Sequence, residues 1–330
     1  MPAALVSHRF NARWGVPLKQ LAAERGLALD FVALPEAADG RIAEADAARA
    51  DVAFFTGDVF PSHSAQFFSA TRKTVNLKWM QLFNAGIDHP VFASMLERGI
   101  KLTTASGTAA VPIAQTAITG LLLLARNFGH WMQAQRERRW DPLHAPQLPR
   151  DLQGQTVLVY GLGHIGKAFA TLAQALGLHV IGARRSARLA DDPVDEFISA
   201  GDFRKVLARC DWLVLTCPLT PETRALVDAG VLAALKPAAC VINVGRGEVV
   251  VETALIEALQ RGHLGGAYLD VFEKEPLPAE SPLWGLPNVY VTPHNAAAND
   301  GNEGRINLLF LDNLARHVRG EALLNEVSTR

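Results

Sequence analysis

Two doubly wound α/β domains, each built on a parallel sheet with helices on both faces, are predicted by three observations. Apolar, strand-like runs alternate with helical segments from the first residues to about 104 and again from 156 to 292. A glycine-rich turn, Gly161-Leu-Gly163-His-Ile-Gly166, stands between one such apolar run and an alanine-rich helical segment. The chain of 330 residues also exceeds what one core usually holds, at about 100–200 residues per domain.

In chain order, residues 3–7, 28–34, 51–56, 77–83 and 101–104 read as buried strands, with helices predicted near 16–25, 41–49, 62–71 and 91–98. Gly86, Gly99 and Gly107 mark turns. The most apolar helical stretch, 113–125, carries Gln115, Thr116 and Thr119 and is shorter than the ~20 residues that span a bilayer. It is read as a buried interdomain or interface helix, and the segment 127–140 follows it. Arg136, Glu137, Arg138 and Arg139 there are assigned to a solvated face. Three prolines between 142 and 149 then predict an extended surface loop.

The glycine turn follows the apolar run Thr156-Val-Leu-Val-Tyr160 and precedes a helix, the setting a dinucleotide fingerprint requires. Gly161 permits the tight turn, Gly163 lets backbone approach a pyrophosphate, and Gly166 lets the helix pack on the strand. Amides at the helix start, His164 and Ile165 among them, face the anion. The next strand, 178–183, ends at Arg184, followed by Arg185 and Ser186, where an NAD site carries an acid for the ribose diol. Arginine forks suit a 2′-phosphate better than a neutral diol. NADP(H) is therefore the expected preference, with Arg184 its main cause and NAD(H) a possible substitute. Two solvated arginines at a strand end remain the other reading.

Beyond Arg185, strands are predicted at 211–216, 239–243, 266–269 and 288–292, and helices at 252–260 and 302–320. Thr220-Pro221-Glu222-Thr223 reads as a helix start, with threonine at the cap and proline at the first position. The final helix returns to the first domain. The expected division is 1–104 with 296–330 as one domain and 105–295 as the nucleotide-binding domain, joined by two crossings that make a hinge.

Composition sets outer limits. The formal net charge of −1 leaves no electrostatic footprint for nucleic acid or an anionic membrane. Cys210, Cys217 and Cys240 fit neither a disulfide framework nor a metal-ligand spacing. No metal is expected. Buried free thiols in a reducing compartment, and no export signal at the N-terminus, predict a cytoplasmic protein.

Three residues follow strand ends in the second half: Arg246 between two glycines, Glu275, and His294 in Thr292-Pro-His294. Strand ends of this kind face a bound nucleotide, so their side chains can converge on a ligand. Each has a plainer reading: a structural arginine, a solvated carboxylate, a satisfied histidine.

The sequence resembles the D-isomer-specific 2-hydroxyacid dehydrogenases, and within them the glyoxylate/hydroxypyruvate reductase branch. Six motifs carry the resemblance in order: Trp79-Met-Gln-Leu-Phe-Asn-Ala-Gly-Ile-Asp88, Gly161–Gly166, Cys217-Pro218-Leu-Thr-Pro-Glu-Thr223, Asn243-Val244-Gly245-Arg246-Gly-Glu248, Leu269-Asp270-Val-Phe-Glu-Lys-Glu275-Pro276 and Thr292-Pro-His294. It implies a Rossmann nucleotide-binding domain inserted in a flavodoxin-like substrate domain. It implies NADP(H)-dependent reduction of a small 2-oxo acid, of glyoxylate or hydroxypyruvate type, to the 2-hydroxy acid. Arg246 would bind the carboxylate and carbonyl, His294 would protonate the carbonyl oxygen and Glu275 would pair with His294. The Ala85 and Gly86 amides would hold the carboxylate, while Asp270 and the Val244–Gly245 backbone would orient the nicotinamide. Cys217, Pro218 and Thr223 would border the cofactor, and Trp140 would reach the active site of a neighbouring subunit in a homodimer.

That assignment agrees with the chemistry. Hydride reaching a carbonyl carbon leaves charge on oxygen, which needs a cation and an acid. A carboxylate beside an imidazole favours its protonated form. Glutamate at 275 separates the chain from the related formate dehydrogenases, which carry glutamine there. Gln115 and Asn295-Ala-Ala-Ala depart from the usual pattern and bear on substrate choice. A nucleotide-sensing corepressor of the same fold is the non-enzymatic alternative.

Overall fold

The structure, a computed structural model, describes residues 1–87, 89–145 and 147–327. Asp88, which closes the motif begun at Trp79, Pro146 of the proline-rich loop, and residues 328–330 of the expected 296–330 segment lie outside the described residues. The chain divides into two units, Met1–Thr108 with Asp300–Arg330, and Ala109–Asn299.

The first unit holds β1 (Ala3–Val6), α1 (His8–Glu24), β2 (Asp30–Ala33), α2 (Glu44–Arg49), β3 (Val52–Phe55), α3 (Ser64–Lys73), β4 (Trp79–Leu82), α4 (Pro90–Glu97) and β5 (Lys101–Thr103). Its strands are all parallel, in the order β2-β1-β3-β4-β5, the flavodoxin-like arrangement. Helix α1 begins eight residues before the predicted segment because the Ser7 hydroxyl accepts the Phe10 amide at 2.8 Å, capping its first turn.

In the second unit come α5 (Ala110–Ala125), α6 (Phe128–Arg136), β6 (Thr156–Tyr160), α7 (His164–Ala175), β7 (His179–Arg184), β8 (Glu196–Ser199), β9 (Trp212–Leu215), α8 (Ala229–Ala234), β10 (Ala239–Asn243), α9 (Glu252–Gln260), β11 (Leu264–Leu269) and β12 (Val289–Val291). They form a seven-stranded parallel sheet in the order β12-β11-β10-β9-β6-β7-β8. The order reverses between β6 and β9, the switch point at which doubly wound sheets bind ligands. Apolar residues buried on both faces, such as Val157, Leu158, Val214 and Ile242, explain why these strands read as continuous hydrophobic runs. Burial pushes the Cys217 thiol up to about 11 and those of Cys210 and Cys240 up to about 12, so all three pack as neutral side chains.

The last helix, α10 (Asn302–Arg319), belongs to the first unit. Phe310 stacks on Phe54 with ring centroids 4.5 Å apart and on Trp79 at 5.5 Å. Fully buried Asn313 donates to Gln81 Oε1 at 3.1 Å, and Gln81 in turn accepts the Thr103 hydroxyl at 2.8 Å. These bonds satisfy polar groups that burial would otherwise penalise.

One expectation is corrected. Thr220–Thr223 is a turn and not a helix start, because the Thr223 hydroxyl donates to Pro218 O at 2.8 Å and accepts from the Thr220 amide at 2.7 Å. Ala225 then takes a left-handed φ of 52° that stops helical propagation, and the helix begins at Ala229 behind its Asp228 cap. Strand β8 was not predicted: its half-buried Glu-Phe-Ile-Ser sequence at the sheet edge lacks an apolar run. Among the described residues no single helix is long and apolar enough to cross a membrane; α5 and α6 meet at a bend of 76°.

Candidate active site

In the second unit the candidate residues lie at the carboxyl ends of three adjacent strands. Arg246 follows β10, Asp270 and Glu275 follow β11, and His294 follows β12. Buried Asn243 shapes the first of these turns: its amide donates to Arg246 O at 3.0 Å and its carbonyl accepts the Gly245 amide at 3.1 Å. A Cβ on Gly247 would stand 1.9 Å from the Phe272 carbonyl, and one on Gly245 would stand 2.7 Å from Cys217 O. The glycines around Arg246 thus answer to close backbone approach, not to clearance for its guanidinium. Arg246 itself is half-buried and donates to Gly245 O at 2.8 Å.

His294 Nδ1 lies 2.6 Å from Glu275 Oε2. The other Glu275 oxygen accepts the Phe272 amide at 3.0 Å, which fixes the carboxylate. The pairing engages Nδ1 and leaves Nε2 as the ring nitrogen turned away from Glu275. His294 has a left-handed φ of 50°, an unfavourable backbone for a side chain of that size. Asp270, 3% exposed, supports it: Oδ1 accepts the Thr292 hydroxyl at 2.6 Å and the Asn295 amide at 2.9 Å, and Oδ2 accepts the Ala296 amide at 3.0 Å. Thr292 is held in turn by the Tyr268 hydroxyl at 2.7 Å. In this structure Asp270 organises the turn that presents His294, a role not evident from sequence. An aspartate at the end of one strand and a Thr-Pro-His segment 22 residues further on at the end of the next can be linked only with the β11–β12 pairing known.

The glycine turn fits a dinucleotide pyrophosphate. Gly161 takes φ 109°, and a Cβ there would stand 2.7 Å from the Cys217 amide nitrogen. A Cβ on Gly166 would stand 2.1 Å from Gly161 O, whereas one on Gly163, the residue capping α7, would meet no atom within 4 Å. Two glycines are therefore demanded by packing, and the middle one faces open space beside the first amides of α7, those of His164 and Ile165. Thr216, unremarked in sequence, donates to Gly161 O at 2.7 Å and ties β9 to the turn.

Arg184, expected as the principal donor to a 2′-phosphate, has its terminal donors engaged within the protein. Its Nη1 donates to Asp192 Oδ1 and to Leu162 O, both at 3.1 Å; its Nη2 donates to Asp192 Oδ2 at 2.9 Å and to Ala187 O. The fork is already engaged by a carboxylate whose position in a loop gave no signal in sequence. Arg185 and Ser186 are exposed. Cys217 is buried, and Pro218 and Thr223 form the turn beyond β9.

In the first unit, Ala85 and Gly86 follow β4. The Asn84 side chain donates to Gly86 O at 2.9 Å and shapes this loop, and among the described residues no protein acceptor takes either amide. Trp140, in the second unit beyond α6, is 98% exposed. Among the described residues no cluster of His, Cys, Asp and Glu could hold a metal ion.

A family model described as D-isomer specific 2-hydroxyacid dehydrogenase, NAD binding domain, matches residues 118–296. The chain is 32% identical over 266 residues to glyoxylate reductase of Korarchaeum cryptofilum, covering 80% of this chain and 79% of that protein. It is 30% identical over 258 residues to D-3-phosphoglycerate dehydrogenase of Methanocaldococcus jannaschii, 78% of this chain but about half (48%) of that longer protein. Among solved structures, an NADPH-dependent glyoxylate/hydroxypyruvate reductase from Sinorhizobium meliloti, in complex with NADP and sulfate, superposes with a TM-score of 0.74 at 28% identity, covering 99% of this chain and 98% of the other.

Proposed function

We propose, from the premise that this chain belongs to the D-isomer specific 2-hydroxyacid dehydrogenase family, that it reduces a small 2-oxo acid of glyoxylate or hydroxypyruvate type, with NADP(H) preferred to NAD(H). The observation that carries the reading is the His294–Glu275 pair at 2.6 Å, on strand ends neighbouring the one that presents Arg246. The second unit serves as the cofactor domain and the first as the substrate domain.

When bound, the dinucleotide supplies hydride to the carbonyl carbon. Arg246 holds the carboxylate and carbonyl oxygen of the substrate, and its cation stabilises the negative charge that develops on that oxygen. His294 Nε2 gives the oxygen its proton, while Glu275 on Nδ1 orients the ring. The backbone of Val244 and Gly245 borders the nicotinamide with Asp270, and the exposed pair Arg185 and Ser186 meets the 2′-phosphate in place of Arg184. NADPH consumption with glyoxylate and hydroxypyruvate tests the reading. Tight dinucleotide binding without turnover of any 2-oxo acid would favour the sensor alternative.

Glu275→Gln keeps a hydrogen-bonding partner near Nδ1 but removes the charge. It is expected to lower kcat roughly 10- to 100-fold, part of the 10²–10⁴ that a positioned acid contributes. Steady-state kinetics check this, and unchanged kcat would separate Glu275 from the proton transfer.

The proposal extends to a cytoplasmic homodimer formed through the second unit. Val111, Phe128, Met132 and Trp140 on and beyond α5 and α6 are exposed, an apolar surface better covered than solvated. A dimeric mass in light scattering is expected. A monomer at working concentration would also remove Trp140 from any neighbouring site.

A further inference from the structure

Around one buried carboxylate in the loop after β7 stands an ion cluster that the reaction does not use. Asp192 has a fully buried carboxylate that accepts both Nη groups of Arg184, Lys167 Nζ at 3.0 Å and the Leu189 amide at 2.7 Å. Burial opposes its charge, yet the Leu189 amide, Lys167 and Arg184 outweigh that and hold the carboxyl below its usual range. Lys167 also contacts Asp191 at 3.1 Å, so two cations stand against two carboxylates. Arg184 further lies over the Phe197 ring at 5.8 Å, and its Nε is buried without a partner. Every terminal N–H of Arg184 is thus directed at protein, and the cluster offers a phosphate little net charge.

A buried ion pair seldom adds stability over apolar residues of similar volume, because desolvation offsets the attraction. Its contribution here is positional. It joins the end of β7, the first turn of α7, Leu162 of the glycine turn and the loop 187–194 at one carboxylate. Arg185 and Ser186 leave the strand end between those anchors and are exposed. The Glu222 carboxyl in the turn beyond β9 is held below its usual range by the Thr220 hydroxyl and its own backbone amide, with the charge of Arg185 adding to them.

We propose that Asp192 is a positioning residue for cofactor choice: it draws the Arg184 fork back against the glycine turn and thereby sets Arg185 and Ser186 as the groups that meet a 2′-phosphate. This rests on the preference for NADP(H) proposed above.

Calorimetric binding of 2′,5′-ADP and 5′-ADP to the full chain tests it without turnover. Wild type is expected to bind 2′,5′-ADP at least about tenfold more tightly, as one charge-assisted hydrogen bond made only to the phosphate allows. Asp192→Asn is expected to lose most of that discrimination while 5′-ADP affinity stays within about twofold. If Arg184 were the reader, releasing it from the carboxylate would instead tighten 2′,5′-ADP binding, and tightening or no change overturns the proposal. Should Asp192→Asn fail to fold, Arg185→Met decides: selective loss of 2′,5′-ADP affinity supports the proposal, and retained affinity overturns it. Equal wild-type affinity for the two probes overturns the NADP(H) preference itself, a failure distinct from discrimination that survives Arg185→Met.

Discussion

Replacing His294 with asparagine is expected to lower kcat for 2-oxo acid reduction by about 10²–10⁴-fold, the range a positioned general acid contributes. Asparagine suits the test because it tolerates the left-handed backbone that His294 adopts at φ 50°. The turn held by Asp270 should therefore persist, and the loss should reflect the missing proton donor. The carboxylate of Glu275, 2.6 Å from Nδ1 in the native chain, cannot act in its place without the imidazole between it and the substrate. Dinucleotide affinity, measured by quenching of intrinsic fluorescence, is expected to stay within a few-fold. Turnover near the native value would remove His294 from the proposed chemistry.

Arg246→Lys is expected to lower kcat/KM by about 10²–10³-fold although the formal charge is kept, comparable to losing a preorganised donor at a developing oxyanion. A lysine ammonium is a point charge on a flexible stem and cannot present two parallel donors to a carboxylate and a carbonyl. The backbone turn should be unaffected, since Asn243 binds main-chain groups of Gly245 and Arg246. The loss should fall on both KM and kcat, because the same fork is proposed to bind the ground state and to stabilise the charge formed later. Native kinetics in this variant would assign Arg246 to the structural role that an arginine in a glycine turn can also have.

The parts of the site legible in sequence were those set by local backbone demands. Gly161 and Gly166 could be read because a tight turn and a close helix–strand approach exclude a Cβ, and the structure puts such a Cβ 2.7 Å and 2.1 Å from its neighbours. Strands of β6, β9 and β10 were visible because burial on both faces makes them uniformly apolar. What escaped depends on pairing across the chain. Asp192 meets Lys167 and Arg184 only after the loop closes, and Asp270 meets Thr292 only because β11 and β12 are neighbours. No spacing rule links such partners. Thr220 and Pro221 show the converse, a helix-start pattern overridden when the Thr223 hydroxyl closed a turn on Pro218.

The first unit is assembled from both ends of the chain, with Phe310 of α10 stacked on Phe54 and Trp79. During synthesis this inverts the usual order, in which the N-terminal unit is completed first. Residues 109–299 emerge and can fold while Phe54 and Trp79 still lack their covering ring. At about 5–20 residues per second, the interval is roughly 10–40 s. Over that time the nascent first unit presents an apolar face of the kind chaperones bind, so the insertion of one unit within the other leaves β3 and β4, made before it, to be sealed only after it.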